Sequence, residues 1–105
     1  MTEETTYRAA RLDAETIDDL AALQSSSITY DDPQADNGAR AGYAAEALVA
    51  YVRRVGDPGE LEMAVMDLLG DLRHLCDALG FDFEDVAKAS LYYYDAEIRG
   101  EHRWN

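Results

Sequence analysis

The chain has 105 residues, of which 48% are hydrophobic and 30% are charged, so it can enclose one compact core but not two. Its 22 Asp and Glu residues against nine Lys and Arg give a net charge of -13, which disfavours direct binding to nucleic acid because each phosphate contact needs a cation. One cysteine, no signal-peptide pattern and no apolar run of about 20 residues argue against disulfides, secretion and membrane insertion. We therefore expect a single acidic domain, 1–105, in the cytoplasm.

The N-terminal third is predicted to be largely irregular. Residues 1–12 are either extended or a lead-in to a helix. Asp13 stands at the N-cap position before a hydrophobic staple, which predicts a short helix over residues 14–24. The stretch SSSITYDDPQADNG, residues 25–38, combines serines, Asp-Pro and Asn-Gly, and it is predicted to be a linker with strand-like character at residues 28–30.

A second helix is predicted over residues 39–55. Its apolar residues recur every three or four positions and define the side expected to be buried: Tyr43, Ala47, Ala50, Tyr51 and Val55. Gly56 follows them and can supply a left-handed C-terminal cap.

A third helix is predicted to begin at the motif DPGE. Asp57 is the expected N-cap, Pro58 takes the first helical position, and Glu60 closes a capping box. Up to Gly80, apolar residues then alternate in steps of four and three. We call this set the leucine seam; it consists of Leu61, Val65, Leu68, Leu72, Leu75 and Leu79. Such a stripe is typical of the buried side of a helix, so the seam is predicted to be the centre of the core.

A fourth helix is predicted to begin after its N-cap Asp82 and to run to about residue 99, with Glu84 and Asp85 at the positive end of its dipole. A short turn should pair its apolar side with the third helix. The predicted fold class is all-α, with three to four helices around a C-terminal antiparallel helical hairpin and an irregular N-terminal segment. Part of the leucine seam is expected to stay uncovered within one chain, which leaves a homodimer open.

Candidate partner-binding residues lie on both helices of the hairpin. Asp67 and Asp71 are one turn apart on the third helix, and Tyr92 and Tyr93 share the fourth helix with Asp95. Consecutive tyrosines spread around a helix by about 100° each, so at least one of them, Tyr92, is predicted to be exposed. An exposed tyrosine beside carboxylates suits a protein-binding surface.

Two further reactive side chains specify no reaction. His74 lies near Asp71 and Asp77 but has no nucleophile or second catalytic partner, and Cys76 is expected to be a buried, inert thiol. The sequence has no Gly-rich phosphate loop, no zinc-type cysteine cluster and no nucleophile motif. No catalytic residue is therefore predicted.

The stretch DLLGDLRHLCDALGFDFEDVAKASLYYYDAE, residues 67–97, resembles small uncharacterised helical proteins of phages, prophages and plasmids from high-GC bacteria. More remotely, it resembles the later helices of MazG-type all-α nucleotide pyrophosphohydrolases, in which a Gly-Asp pair within an acidic helix precedes a turn and another helix. That family implies Mg²⁺ and nucleoside triphosphates, held by an EExxE cluster and an ExxD pair. Asp71 matches the final Asp, Asp67 can substitute for the missing Glu, and Glu46 stands alone where the family has three glutamates.

Two functions follow as hypotheses. The first is a non-enzymatic acidic interaction or inhibitor protein from a phage or other mobile element, which docks on a basic host or phage protein with carboxylates in the place of phosphates. The alternative is a MazG-like, Mg²⁺-dependent nucleotide-binding or pyrophosphohydrolase protein that uses Asp67, Asp71 and Glu46. The first needs no cofactor, whereas the second needs Mg²⁺.

Overall fold

The computed structural model describes residues 5–101, which form four α-helices and no β-strand. In chain order the helices are α1 (Ile17–Ala22), α2 (Pro33–Val55), α3 (Leu61–Leu79) and α4 (Phe83–Ile98). The all-α fold class predicted from the sequence is confirmed. Residues 5–12 are irregular, as predicted, while residues 1–4 of that predicted segment lie outside the described residues. None of the four described helices has the length and apolar character needed to cross a bilayer.

α1 begins at a capping box and not after the predicted N-cap Asp13. The Thr16 hydroxyl accepts a hydrogen bond from the Asp19 backbone N–H at 3.1 Å, and the Asp19 carboxylate accepts one from the Thr16 backbone N–H at 3.2 Å. This reciprocal pair satisfies two backbone donors at once, which favours it over a single cap. The helix therefore has six residues and is shorter than the predicted 14–24.

α2 begins earlier than predicted, because the Asp-Pro pair inside the predicted linker is its start. The Asp32 side chain accepts a hydrogen bond from the Ala35 backbone N–H at 3.2 Å, and Pro33 takes the first helical position, where no N–H is needed. The linker predicted over residues 25–38 therefore ends at residue 32.

The buried side of α2 also differs from the predicted one. Tyr43 and Val55 of the predicted side are exposed. The buried apolar residues of this helix are instead Ala39, Leu48, Val49 and Val52. α2 packs against all three other helices, so the positions of those helices decide which of its residues are covered.

α3 begins at Leu61, after the predicted start. The Asp57 carboxylate accepts a hydrogen bond from the Gly59 backbone N–H at 2.7 Å, so it closes a tight turn and does not cap a helix. Gly59 has a φ of 96°, in the left-handed region, which a right-handed helix cannot include. Glu60 is the N-cap and makes no side-chain capping hydrogen bond, so the predicted capping box is wrong.

The turn that joins α3 to α4 forms as predicted. Gly80 ends α3 in the left-handed conformation, with φ 77° and ψ 22°, and the Phe81 backbone N–H donates to the Cys76 carbonyl at 2.9 Å. Asp82 caps α4 by accepting a hydrogen bond from the Asp85 backbone N–H at 3.2 Å. Both helix ends are thus satisfied within a turn of a few residues.

The main core lies between α1, α2 and the beginning of α3. Its buried side chains are Ile17, Leu20, Leu48, Val49, Val52 and Ala64. In the leucine seam, Leu61 and Leu68 are half-buried, whereas the other four members are 37–56% exposed: Val65, Leu72, Leu75 and Leu79. The prediction that the seam forms the centre of the core is therefore wrong for the single chain. The reason is that the core cluster meets α3 only in its first half, and α3 makes few contacts with either α2 or α4.

Candidate interaction surface

The predicted partner-binding residues of α4 present aromatic surface beside a carboxylate. Tyr92 is 73% exposed, which confirms the prediction made from three consecutive tyrosines, and Tyr93 is 45% exposed. Their rings meet edge to face, with centroids 5.6 Å apart and planes at 84°. Asp95 is half-buried. Of the residues predicted on this helix, Tyr92 is therefore the one most accessible to a partner.

On α3, Asp67 and Asp71 are both exposed, but Asp71 is also bonded within the chain. The Tyr51 hydroxyl on α2 donates to Asp71 Oδ2 at 2.5 Å. This hydrogen bond is the main reason that the pKa of Tyr51 is raised to about 12; partial burial and the negative charges of Asp71 and Asp67 add to it. Asp71 thus connects α3 to α2, and Asp67 is the carboxylate left more fully to solvent.

Glu46 lies apart from the two carboxylates of α3. It lines a cleft of about 320 Å³ between α1 and α2. Asp71, in contrast, lies where α3 packs on α2 and accepts the hydrogen bond of the Tyr51 hydroxyl. Within residues 5–101, no group of three or more His, Cys, Asp or Glu side chains is placed to hold a metal ion. The structure therefore does not bring Glu46, Asp67 and Asp71 together as the ligand set that the family resemblance implies.

The residues around Cys76 link the last two helices. Cys76 is buried, as expected for an inert thiol, and His74 is exposed. The Arg73 guanidinium lies 4.2 Å from the centre of the Phe83 ring and pairs with the Glu84 carboxylate at 2.7 Å. Arg73 therefore bridges α3 and α4 close to their turn.

A buried polar cluster that the sequence did not lead us to expect joins the N-terminal segment, α2 and α4. The Asn37 amide nitrogen donates to the backbone carbonyls of Tyr7 at 2.7 Å and Glu97 at 3.0 Å, and its oxygen accepts a hydrogen bond from Arg40 at 2.8 Å. Arg40 also pairs with the Glu97 carboxylate at 2.9 Å. These contacts hold three parts of the chain in a fixed arrangement and account for the burial of Asn37.

Asp36, beside this cluster, shapes the loop that precedes α2. Its carboxylate oxygens accept hydrogen bonds from the backbone N–H groups of Thr29 and Tyr30, each at 2.9 Å. Tyr30 has a φ of 67°, which is uncommon for a residue with a side chain, and these hydrogen bonds stabilise that conformation. The sequence does contain a signal for this position. The Asp32-Pro33 pair marks a helix start, which would place Asp36 in the first turn of α2.

The surface is acidic throughout the part of the chain that the structure describes. Apart from Asp36, Asp95 and Glu97, every Asp and Glu side chain in residues 5–101 is exposed. The chain has 22 acidic residues and only nine Lys and Arg, so ion pairing cannot neutralise most of its carboxylates. The resulting field attracts cationic surfaces and repels nucleic acid.

Comparisons with known proteins supply no relative from which a function could be transferred. No protein-family model matches the sequence, and neither a curated protein nor a solved structure is significantly similar to the chain. The resemblances to phage proteins and to the MazG type therefore stay predictions.

Proposed function

We propose that this protein is a non-enzymatic interaction or inhibitor protein of a phage or other mobile element, which acts in the cytoplasm by docking on a basic host or phage protein. One observation carries the proposal: α3 and α4 combine exposed tyrosine with a surplus of negative charge. Nine acidic but only two Lys and Arg residues lie between Leu61 and Ile98, and Tyr92 projects from α4 into solvent.

Docking would use two kinds of contact. Exposed carboxylates such as Asp67 would occupy positions on the partner where the phosphates of a nucleic acid bind, and their field would steer the encounter. Tyr92 would add a large apolar contact area with a hydroxyl at its tip. A protein of this kind excludes nucleic acid from its partner without touching nucleic acid itself.

Affinity capture from a nuclease-treated bacterial lysate, followed by binding measurements on each captured protein, tests this function. We expect a partner with a basic nucleic-acid-binding surface, an affinity that falls steeply as salt concentration rises, and displacement by duplex DNA. The double variant Asp67→Asn/Tyr92→Ala should weaken binding by about tenfold or more.

A matched control variant removes one carboxylate charge and one tyrosine ring from a different part of the surface. Asp31 and Tyr43 are both exposed and lie outside α3 and α4, so the double variant Asp31→Asn/Tyr43→Ala should bind like the wild type. Equal binding by both double variants, or binding that does not depend on salt, would contradict the proposed docking surface.

The Mg²⁺-dependent alternative rests on Asp67 and Asp71, which both lie close enough to Tyr51 to raise its pKa and so form an oxygen-rich patch. A thermal-shift screen of nucleoside triphosphates with and without Mg²⁺ distinguishes the two functions. We expect no shift. A rise in melting temperature that requires Mg²⁺ and disappears in the Asp67→Asn variant would favour nucleotide binding instead.

A further inference from the structure

α3 carries an uncharged strip along its whole length. At about 100° per residue, about one third of its circumference holds the leucine seam together with Leu69 and Cys76, and no polar or charged residue. We call this set the apolar strip. The exposed fraction is 37–56% for five of its members: Val65, Leu69, Leu72, Leu75 and Leu79. All four carboxylates of α3 lie outside the strip: Glu62, Asp67, Asp71 and Asp77.

α4 also exposes the side that its sequence assigns to burial. Val86, Leu91 and Tyr94 are 46–55% exposed, and Phe81 in the turn before the helix is 55% exposed. Contiguous apolar surface of this kind is unusual on a monomeric protein and marks an interaction site. Both helices of the hairpin therefore present apolar sides that the rest of the chain leaves largely uncovered.

The length of α2 explains why these sides stay open. α3 packs on the C-terminal half of α2, where Ala64 meets the cluster around Val52, and α4 packs on the N-terminal half, where Glu97 pairs with Arg40. Residues 40 and 52 of a helix are about 18 Å apart along its axis. α3 and α4 therefore meet at their turn and diverge towards α2.

The amount of exposed surface fits a chain that lacks a partner. Its accessible surface is 8065 Å², against about 5,900 Å² for a compact monomer of 11.7 kDa. Its radius of gyration is 15.4 Å, against about 13 Å for a compact domain of this length. A stable interface needs about 800 Å² per copy, and the excess of about 2,200 Å², which the irregular N-terminal segment shares with these helices, is large enough to supply it.

We infer that the apolar strip and the apolar side of α4 form the interface with a second copy of this chain, in which the two hairpins pack against each other. A two-fold axis makes such a surface complementary to itself, because each copy presents the same uncharged strip. A basic partner would instead be recognised by carboxylates, and those of α3 lie outside the strip. Tyr92 lies on the opposite side of α4 from Phe83 and Tyr94, so it stays accessible in the dimer.

The mass of the chain in solution, measured by light scattering after size-exclusion chromatography, tests this interface. We expect about 23 kDa, twice the chain mass of 11.7 kDa. Since each copy carries a net charge of -13, the dimer should persist or strengthen as salt rises, whereas docking on a basic partner should weaken. The two proposals can therefore fail independently. A wild-type mass equal to that of one chain would overturn the dimer.

Two variants locate the interface. The double variant Leu75→Glu/Leu79→Glu replaces side chains that are half exposed in the single chain, so it should be monomeric while keeping its helical circular dichroism. Met66→Glu, at a residue that is 55% exposed on the same helix but outside the strip, should remain dimeric. The melting temperature of the wild type should also rise with protein concentration, which needs no variant. A double variant that stays dimeric, or a melting temperature independent of concentration, would refute the inference.

Discussion

Replacing Asn37 with alanine should lower the free energy of unfolding by about 2–4 kcal/mol, because it removes the centre of the buried polar cluster. Asn37 is 8% exposed and makes three hydrogen bonds, to the carbonyls of Tyr7 and Glu97 and from Arg40. Each such bond contributes about 0.5–1.5 kcal/mol net, and a buried group left without its partner adds a further cost. Three bonds at these values sum to about 1.5–4.5 kcal/mol, and the expected loss of about 2–4 kcal/mol lies within that range.

Urea denaturation at one fixed protein concentration measures this loss, with Gln34→Ala as the matched control. Gln34 also donates from its amide to a backbone carbonyl of the N-terminal segment, that of Arg8 at 3.1 Å, but it is exposed, so its removal should cost less than about 1 kcal/mol. In Asn37→Ala, hydrogen exchange of the Tyr7 amide, which donates to the Ile98 carbonyl at 2.7 Å, should also accelerate. If Asn37→Ala costs no more than Gln34→Ala and the Tyr7 amide stays protected, this account of the cluster is wrong.

Three other measurements test the core, the contact between α2 and α3, and the start of α1. Val52→Ala, at 2% exposure, should cost about 1–2.5 kcal/mol in urea denaturation, and Val55→Ala, at 52% exposure on the same helix, less than about 0.5 kcal/mol. Tyr51 should ionise at a pKa of about 12, measured as the difference between the absorbance titrations of the wild type and of Tyr51→Phe. The stability from its hydrogen bond is complete below pH 10 and is lost as the pH rises through 12, and Tyr51→Phe should abolish this loss. The pKa of Asp19 lies below its ordinary value because its carboxylate accepts hydrogen bonds from the Glu15 backbone N–H and from the hydroxyl and backbone N–H of Thr16. The stability that the ionised carboxylate contributes is complete above the ordinary pKa and is lost as the pH falls through the lowered one. NMR titration should show that Thr16→Ala moves the pKa of Asp19 back towards the ordinary value.

Helix ends were predictable where neighbouring residues satisfy one another. Gly80 and Asp82 form the predicted turn because their hydrogen bonds reach only a few residues along the chain. The Asp-Pro pattern does not by itself identify a helix start. It occurs twice in the chain and begins a helix only at Asp32. At Asp57 the same pattern is followed by Gly59, which adopts a positive φ and lets the chain form a tight turn first.

The candidate site could be predicted only in part. Exposure of Tyr92 follows from the rotation of successive residues around one helix, and the structure agrees. The contact between Tyr51 and Asp71, and the separation of Glu46 from both carboxylates of α3, depend on how α2 is rotated relative to its neighbours. No spacing within a single helix contains that information.

The sequence by itself determined that this chain is all-α, where its last two helices meet, and that its surface is strongly acidic, because these properties depend on local hydrogen bonding and on the count of charges. Tertiary structure alone decided which apolar sides are covered. The leucine seam has the spacing of a buried surface, but α2 contacts α3 and α4 near opposite ends of its own length and covers little of it. The periodicity of apolar residues shows which side of a helix avoids water. Which helix, or which other chain, covers that side depends on how the helices pack.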